Sequence, residues 1–200
     1  MSRINSVIKN NAENMDAYNF SRALAETRDL FWLEFCDMYI EEIKERIYAG
    51  AKEEKETAQA VLLEVFVNIL KLFAPFMPHI CEECYQSLNA IKNRGKSITI
   101  EAYPNPNIAL INEFYEKLGE YKTAAISTIR KYKNSKGMAL NKEISKAAIY
   151  LNEEKALEYL EKVRETIGKT CKILSLDVKT GKAPDNAIEI NKDMKLVIEP

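Results

Sequence analysis

Between Asn19 and Tyr48 the apolar residues Phe20, Ala23, Leu24, Phe31, Phe35, Met38 and Ile43 form a broad stripe at helical period. Such spacing keeps one side of a helix against a core, and it predicts a single long amphipathic helix. A charged bend, YAGAKEEKE (48–56), leads into a second stripe made of Val61, Leu62, Val65, Phe66, Ile69, Leu70 and Phe73. The two are expected to pack antiparallel. Pro75 and Pro78 end the second helix, because proline lacks an amide donor and restricts the residue before it. A further helix is expected from about His79 to Ala90, and a short one around Ile4, Val7 and Ile8 comes first. The N-terminal half therefore reads as a four-helix-like antiparallel bundle.

The pattern changes at RGKSITIEAYPNPN. Ser97 to Tyr103 alternates like a short extended segment, and Pro104 and Pro106 exclude a helix there. A domain boundary is expected at this point, giving a bundle over 1–106 and a second part over 107–200. In the second part Ile111, Phe114, Leu118, Tyr121, Ala125, Ile129 and Tyr132 predict a long helix that stops at Gly137. Then follow a strand at AAIYL, Asn152 as a helix cap, and a helix carrying Leu157, Leu160, Val163 and Ile167. KILSLDV, AIEI and MKLVIE read as three more strands, the last two joined by a hairpin turn at NKD. The fold class is mainly α: an antiparallel helix bundle followed by a small α+β domain, with helices on one face of a mainly antiparallel sheet.

Composition narrows the partners. With 46% hydrophobic residues in a 200-residue chain, a sizeable core is available. Lys plus Arg number 29 against 30 Asp plus Glu, so whole-chain charge gives no argument for nucleic acid. Local charge does: from Lys122 to Lys146 seven Lys or Arg stand against one Glu. Such a stretch suits phosphate contact, with a solvated surface as the competing reading. No signal-peptide core and no apolar run of about 20 residues is present, so a soluble cytoplasmic chain with no membrane partner is expected.

The candidates for catalysis are few. Cys81 and Cys84 form a Cys-x-x-Cys pair beside His79, but zinc needs four ligands and the other thiols, Cys36 and Cys171, lie far away in sequence. Small buried side chains on one helix side explain the pair better. One histidine in the chain excludes a His-based triad and a two-His metal site. Lys133-Asn134-Ser135-Lys136-Gly137 raises the question of a phosphate-holding ATP loop.

A resemblance answers that question. WLEFCDMYIEEIKER (32–46) is similar to the Trp-His-Glu-Phe-Cys-Asp-x-Tyr-Ile-Glu pattern of the anticodon-binding domain of valyl-tRNA synthetases, of class Ia. SRINSVIK (2–9), KLFAPFMPHICEE (71–83), SITIEAYP (97–104) and IRKYKNSKGMALNKEISKAAIYL (129–151) resemble the same family in the same order. The likeness covers essentially the whole chain. Leu33 departs from it where the family often has His, and the strands ending in MKLVIEP resemble the archaeal type. Isoleucyl and leucyl enzymes share the bundle, but Glu34 to Asp37 points to valyl; a helical protein-interaction module without RNA binding is the other alternative.

By this resemblance the full-length enzyme uses ATP and magnesium to charge valine tRNA, and this chain, lacking the His-x-Gly-His motif, holds no cofactor and no catalytic residue. Its expected partners are the tRNA and its own catalytic domain. KNSKG then becomes a basic connector. Unpaired anticodon bases stack on aromatic or guanidinium planes while Lys and Arg hold the backbone. Arg22, Arg28 and Trp32 are the base-side candidates, with Lys44 and Arg46 at the far end of the helix. Arg130, Lys131, Lys133 and Lys136 are the phosphate candidates. Glu34 and Asp37 suit either base amino groups or an ion pair with a neighbouring helix.

Overall fold

Ile4, Val7, Ile8 and Asn11 lie along one side of α1 (Ser2–Asp16), and all four are buried. The helix is longer than its three apolar positions suggest, because a polar residue extends the buried stripe. Asn11 donates to the Ala23 carbonyl (2.8 Å) and the Thr27 hydroxyl (2.7 Å), and accepts from the Tyr103 hydroxyl. Each buried polar atom in this network has a partner, which is what burial demands. The computed structural model describes residues 1–92, 97–152 and 155–199, and the chain divides into two units, Met1–Asn112 and Glu113–Pro200.

The long helix predicted for the first unit forms, but it is not uniform. After α2 (Phe20–Asp29) comes a π-helical stretch, Leu30–Tyr39, followed directly by α3 (Ile40–Ala49). In a π-helix each amide reaches back five residues, so the turn widens and the apolar stripe is re-aimed. Leu30, Phe35 and Met38 are buried. Phe31, Phe35 and Tyr39 stack along the helix at 6.4 and 6.0 Å, and Phe35 stacks on Phe66 at 6.1 Å.

The charged bend is shorter than expected. Only Gly50 and Ala51 leave the helix, and glycine fits the first of these positions, where a Cβ would lie 2.5 Å from the Arg46 carbonyl oxygen. The charged run opens α4 (Lys52–Phe73): Glu53 and Glu54 sit in its first turn, where the helix dipole favours carboxylates, and Glu54 accepts the Ala51 amide at 3.2 Å. Pro75 and Pro78 act as expected. α5 (Pro78–Lys92) begins on proline, whose missing amide has no partner to lose there.

The segment from Ser97 to Tyr103 is not extended throughout as expected, although Ser97 and Glu101 keep extended backbone angles. Ile98–Ile100 makes one turn of 3-10 helix, because Glu82 takes both the Ile98 amide and the Ser97 hydroxyl at 2.8 Å. Local side-chain bonds of this kind outcompete an extended backbone that has no neighbouring strand. The chain then straps back over the bundle through Lys71 to Glu101 (3.1 Å), the Asn107 amide to Asn5 (2.7 Å) and the Asn112 amide to Ser2 (2.9 Å). The RGK portion of the expected boundary stretch lies outside the described residues.

In the second unit α6 (Glu113–Ser135) ends as predicted at Gly137, which has a φ of 63°. The Gly137 amide bonds the Asn134 carbonyl (3.0 Å) and the Met138 amide bonds the Lys133 carbonyl (2.8 Å), a Schellman cap. The sheet orders β1 (Ile144–Leu151), β2 (Ile173–Thr180), β3 (Ile188–Asn191) and β4 (Met194–Glu199) as β2-β1-β4-β3. β1 and β2 are parallel, joined across α7 (Lys155–Cys171); the other two pairings are antiparallel. The core of this unit includes Ile126, Ile129, Ile149, Leu151, Leu160, Ile167, Met194 and Leu196. Asn152 braces the β3–β4 hairpin, its amide donating to the Lys192 carbonyl at 2.8 Å. The cap expected of it lies outside the described residues, because 153 and 154 precede α7. Among the described residues no helix is long and apolar enough to cross a membrane.

Candidate nucleic-acid interface

In the first unit the π-helical stretch exposes what a regular helix places at the flank. Trp32 is 62% and Leu33 55% exposed, while the aromatics around them fill the core. Arg22 is exposed on α2 and lines a groove of about 490 Å³ with Ala25, Glu26 and Asp29 of its own helix and Arg3, Asn10, Glu13 and Asn14 of α1. Arg28, six residues on, is about 240° further round the helix, and its guanidinium pairs with Asp29 at 2.7 Å. Arg22 and Arg28 therefore do not share a face. Lys44 pairs with Glu41 at 2.5 Å, and Arg46 is exposed in the last turn of α3. Burial raises the Tyr39 hydroxyl above its ordinary value; Arg46 opposes this and Glu42 adds to it.

Glu34 makes the ion pair with a neighbouring helix foreseen for it. Both its oxygens receive the Arg3 guanidinium, at 2.8 to 3.0 Å, a two-pronged geometry that fixes orientation as well as charge. Arg3, Asn10 and Asn14 were not singled out in the sequence. Their spacing of seven and four residues, which puts them on one helix side, was the available signal.

In the second unit the basic stretch splits. Lys131 and Lys136 are exposed, and the Lys136 ammonium lies 6.0 Å from the Tyr132 ring centre. Arg130 is half-buried at the edge of α6. Lys133 is a correction: it is 1% exposed, and its ammonium donates to the carbonyls of Leu140 (2.9 Å), Lys142 (2.5 Å) and Cys171 (2.7 Å). A phosphate cannot reach it without all three bonds breaking. Burial pulls its proton affinity below the ordinary lysine value, the Cys171 thiol opposes that shift, and Lys172 adds to it.

The four cysteines, Cys36, Cys81, Cys84 and Cys171, are free thiols. Cys81 is buried, and burial first, then the neighbouring Cys84, pushes its thiol up to about 11. Among the described residues no group of three or more His, Cys, Asp or Glu side chains is placed to hold a metal ion.

The helical unit thus carries an exposed tryptophan and a polar groove, and the second unit a lysine-bearing helix end. Residues 1–149 match the family model described as the anticodon-binding domain of tRNA ligase, and the chain belongs to that family. Among its relatives is the valine–tRNA ligase of Thermococcus kodakarensis, 36% identical over 98% of this chain and 22% of that protein. The valine–tRNA ligase of Pyrococcus furiosus is 36% identical over 90% of this chain and 20% of that protein. That of Archaeoglobus fulgidus is 33% identical over 75% and 17%. The chain thus spans about a fifth of the curated relatives it matches.

Proposed function

We propose that this chain is the tRNA-binding portion of a valine–tRNA ligase and recognises the anticodon region, while a catalytic portion elsewhere in the enzyme charges the tRNA with valine using ATP and magnesium. The observation that carries this reading is the run of similarity to valine–tRNA ligases over 98% of the chain, coincident with the anticodon-binding family match. The geometry supports a division of labour. Base recognition is assigned to the first unit, through Arg22, Arg28 and Trp32, with Lys44 and Arg46 contacting backbone farther along. Backbone contact in the second unit is assigned to Arg130, Lys131 and Lys136, and Lys133 instead holds their supporting loop.

Unpaired bases need flat partners, and phosphates need mobile cations. The exposed Trp32 and the solvent-facing lysines are of those two kinds. The test is filter binding of the purified chain to valine tRNA and to the same tRNA with a replaced anticodon, at low and moderate salt. The reading predicts tighter retention of valine tRNA. Equal or absent retention of both would favour a helical module that binds no anticodon.

A further inference from the structure

We propose that the open face of the sheet in the second unit seats one unpaired nucleotide of an RNA strand, stacked on Tyr150 between Lys179 and Lys195, without reading its base; RNA as the occupant rests on the tRNA-binding reading above. Residues in register across a sheet share a face, and neighbours along a strand take opposite ones. Ala147, Ile149 and Leu151 of β1 and their partners Leu176, Leu196 and Met194 are buried, which makes theirs the core side. Lys146, Ala148 and Tyr150 therefore take the other side. There Lys146, Lys179 and Lys195 are exposed and Tyr150 is half-buried. An aromatic ring on an uncovered sheet face offers an unpaired base a flat partner.

Tyr150 lies at the middle of a basic row. Lys179 of β2 and Lys195 of β4 stand opposite it in register, one strand spacing of about 4.8 Å away in each direction. A cation-bearing residue thus flanks the ring on both sides. Among the described residues neither the Tyr150 hydroxyl nor the Lys195 ammonium has a hydrogen-bond or ion-pair partner.

The charge pattern favours phosphate at this row. Asp177 lies 3.9 Å from the Lys146 ammonium and 3.7 Å from that of Lys179, so one carboxylate is shared by two cations. Glu189 is opposite Lys195 in register, but among the described residues no ion pair joins them. Glu199 is opposite Lys146, four residues along β1 from Tyr150. The row therefore sets two lysines against one carboxylate, with Lys195 unengaged. Cations on either side of a ring match the phosphates on either side of a stacked nucleotide. Stacking is indifferent to base identity, since every base has a π-face. The face belongs to β1, β2 and β4 and shares no residue with the lysine-bearing end of α6.

The experiment measures binding of the whole chain to single-stranded oligouridine, to an RNA duplex and to valine tRNA over a salt series. Lys179→Gln/Lys195→Gln should lower the slope of log affinity against log salt by about 1.4 on oligouridine, two single-strand contacts at about 0.7 each. Tyr150→Leu should weaken oligouridine binding about tenfold at an unchanged slope and leave the duplex alone, because only an unpaired base can stack on the ring. Tyr150→Phe keeps the ring and should keep the affinity. If the parent binds valine tRNA but not oligouridine, or if Tyr150→Leu and the lysine pair keep the parental affinity and slope, the seat is overturned and the tRNA reading stands. An equal loss in Tyr150→Phe and Tyr150→Leu overturns it as well. If the variants weaken oligouridine as expected while valine tRNA is held no better than a tRNA with a replaced anticodon, the seat stands and the anticodon reading falls.

Discussion

The ammonium of Lys133 lies 2.7 Å from the carbonyl oxygen of Cys171, at the last residue of α7, so a side chain from one helix caps the end of another. A cation at a helix C-terminus meets the negative end of the dipole. The same ammonium ties down Leu140 and Lys142 in the loop that leads to β1.

Lys133→Met keeps most of the side-chain volume and removes three hydrogen bonds to carbonyls. Only the Cys171 carbonyl is buried, the other two acceptors being part-buried, so the second unit should lose about 1–3 kcal/mol, the cost of one orphaned buried acceptor. Lys131→Gln, two residues earlier and on the exposed side of α6, should change stability by less than ~0.5 kcal/mol. Urea unfolding of the two variants checks the contrast; equal stabilities would mean that the carbonyl cage contributes little.

Most helices were legible from spacing, because stripes such as Val61 to Phe73 record which side is buried. The π-helical register was not. Leu30, Phe35 and Met38 are all buried, but their steps of five and three average to a spacing that an α-helix also tolerates. Lys133 was misread because lysine in a basic run looks solvated. The correcting signal was phase: Ile126, Ile129 and Lys133 sit at three- and four-residue steps on the buried side of α6. The groove escaped notice because its polar lining comes from two helices, and no periodicity within one helix reveals what the other contributes.

Tyr103 ties the strap to the bundle by donating to Asn11. Its loss in Tyr103→Phe should cost about 1–2 kcal/mol by leaving a buried acceptor short of one bond. Burial raises the hydroxyl from 10.0 to about 12. The folded state therefore keeps a proton that the unfolded chain gives up from about pH 10, and stability should be intact below that pH and fall as pH rises toward 12. The Phe variant should lack this part of the alkaline decline. Denaturant titrations at pH 8, 10 and 11 give the comparison.

Cys81 should behave as core. With its thiol pushed up to about 11, only on the order of a thousandth is thiolate at pH 8, and the side chain is 2% exposed. Iodoacetamide at pH 8 should label the half-buried Cys84 well before Cys81, and denaturation should remove the difference. Rapid native labelling of Cys81, mapped by mass spectrometry, would contradict its placement.

The central claim is that the two units meet tRNA by different physics: sequence-reading contacts in the first, sequence-blind phosphate contacts in the second. A salt titration of binding to valine tRNA and to an anticodon-swapped tRNA tests it, with the parent chain, the Lys131→Gln/Lys136→Gln double variant and Trp32→Ala. Each phosphate contact on a single strand contributes about 0.7 to the slope of log affinity against log salt, so the double variant should lose about 1.4 in slope on both RNAs and keep the parental preference between them. Trp32→Ala should keep the slope and lose the preference. A parental slope in the double variant, together with unaltered discrimination in Trp32→Ala, would contradict the account.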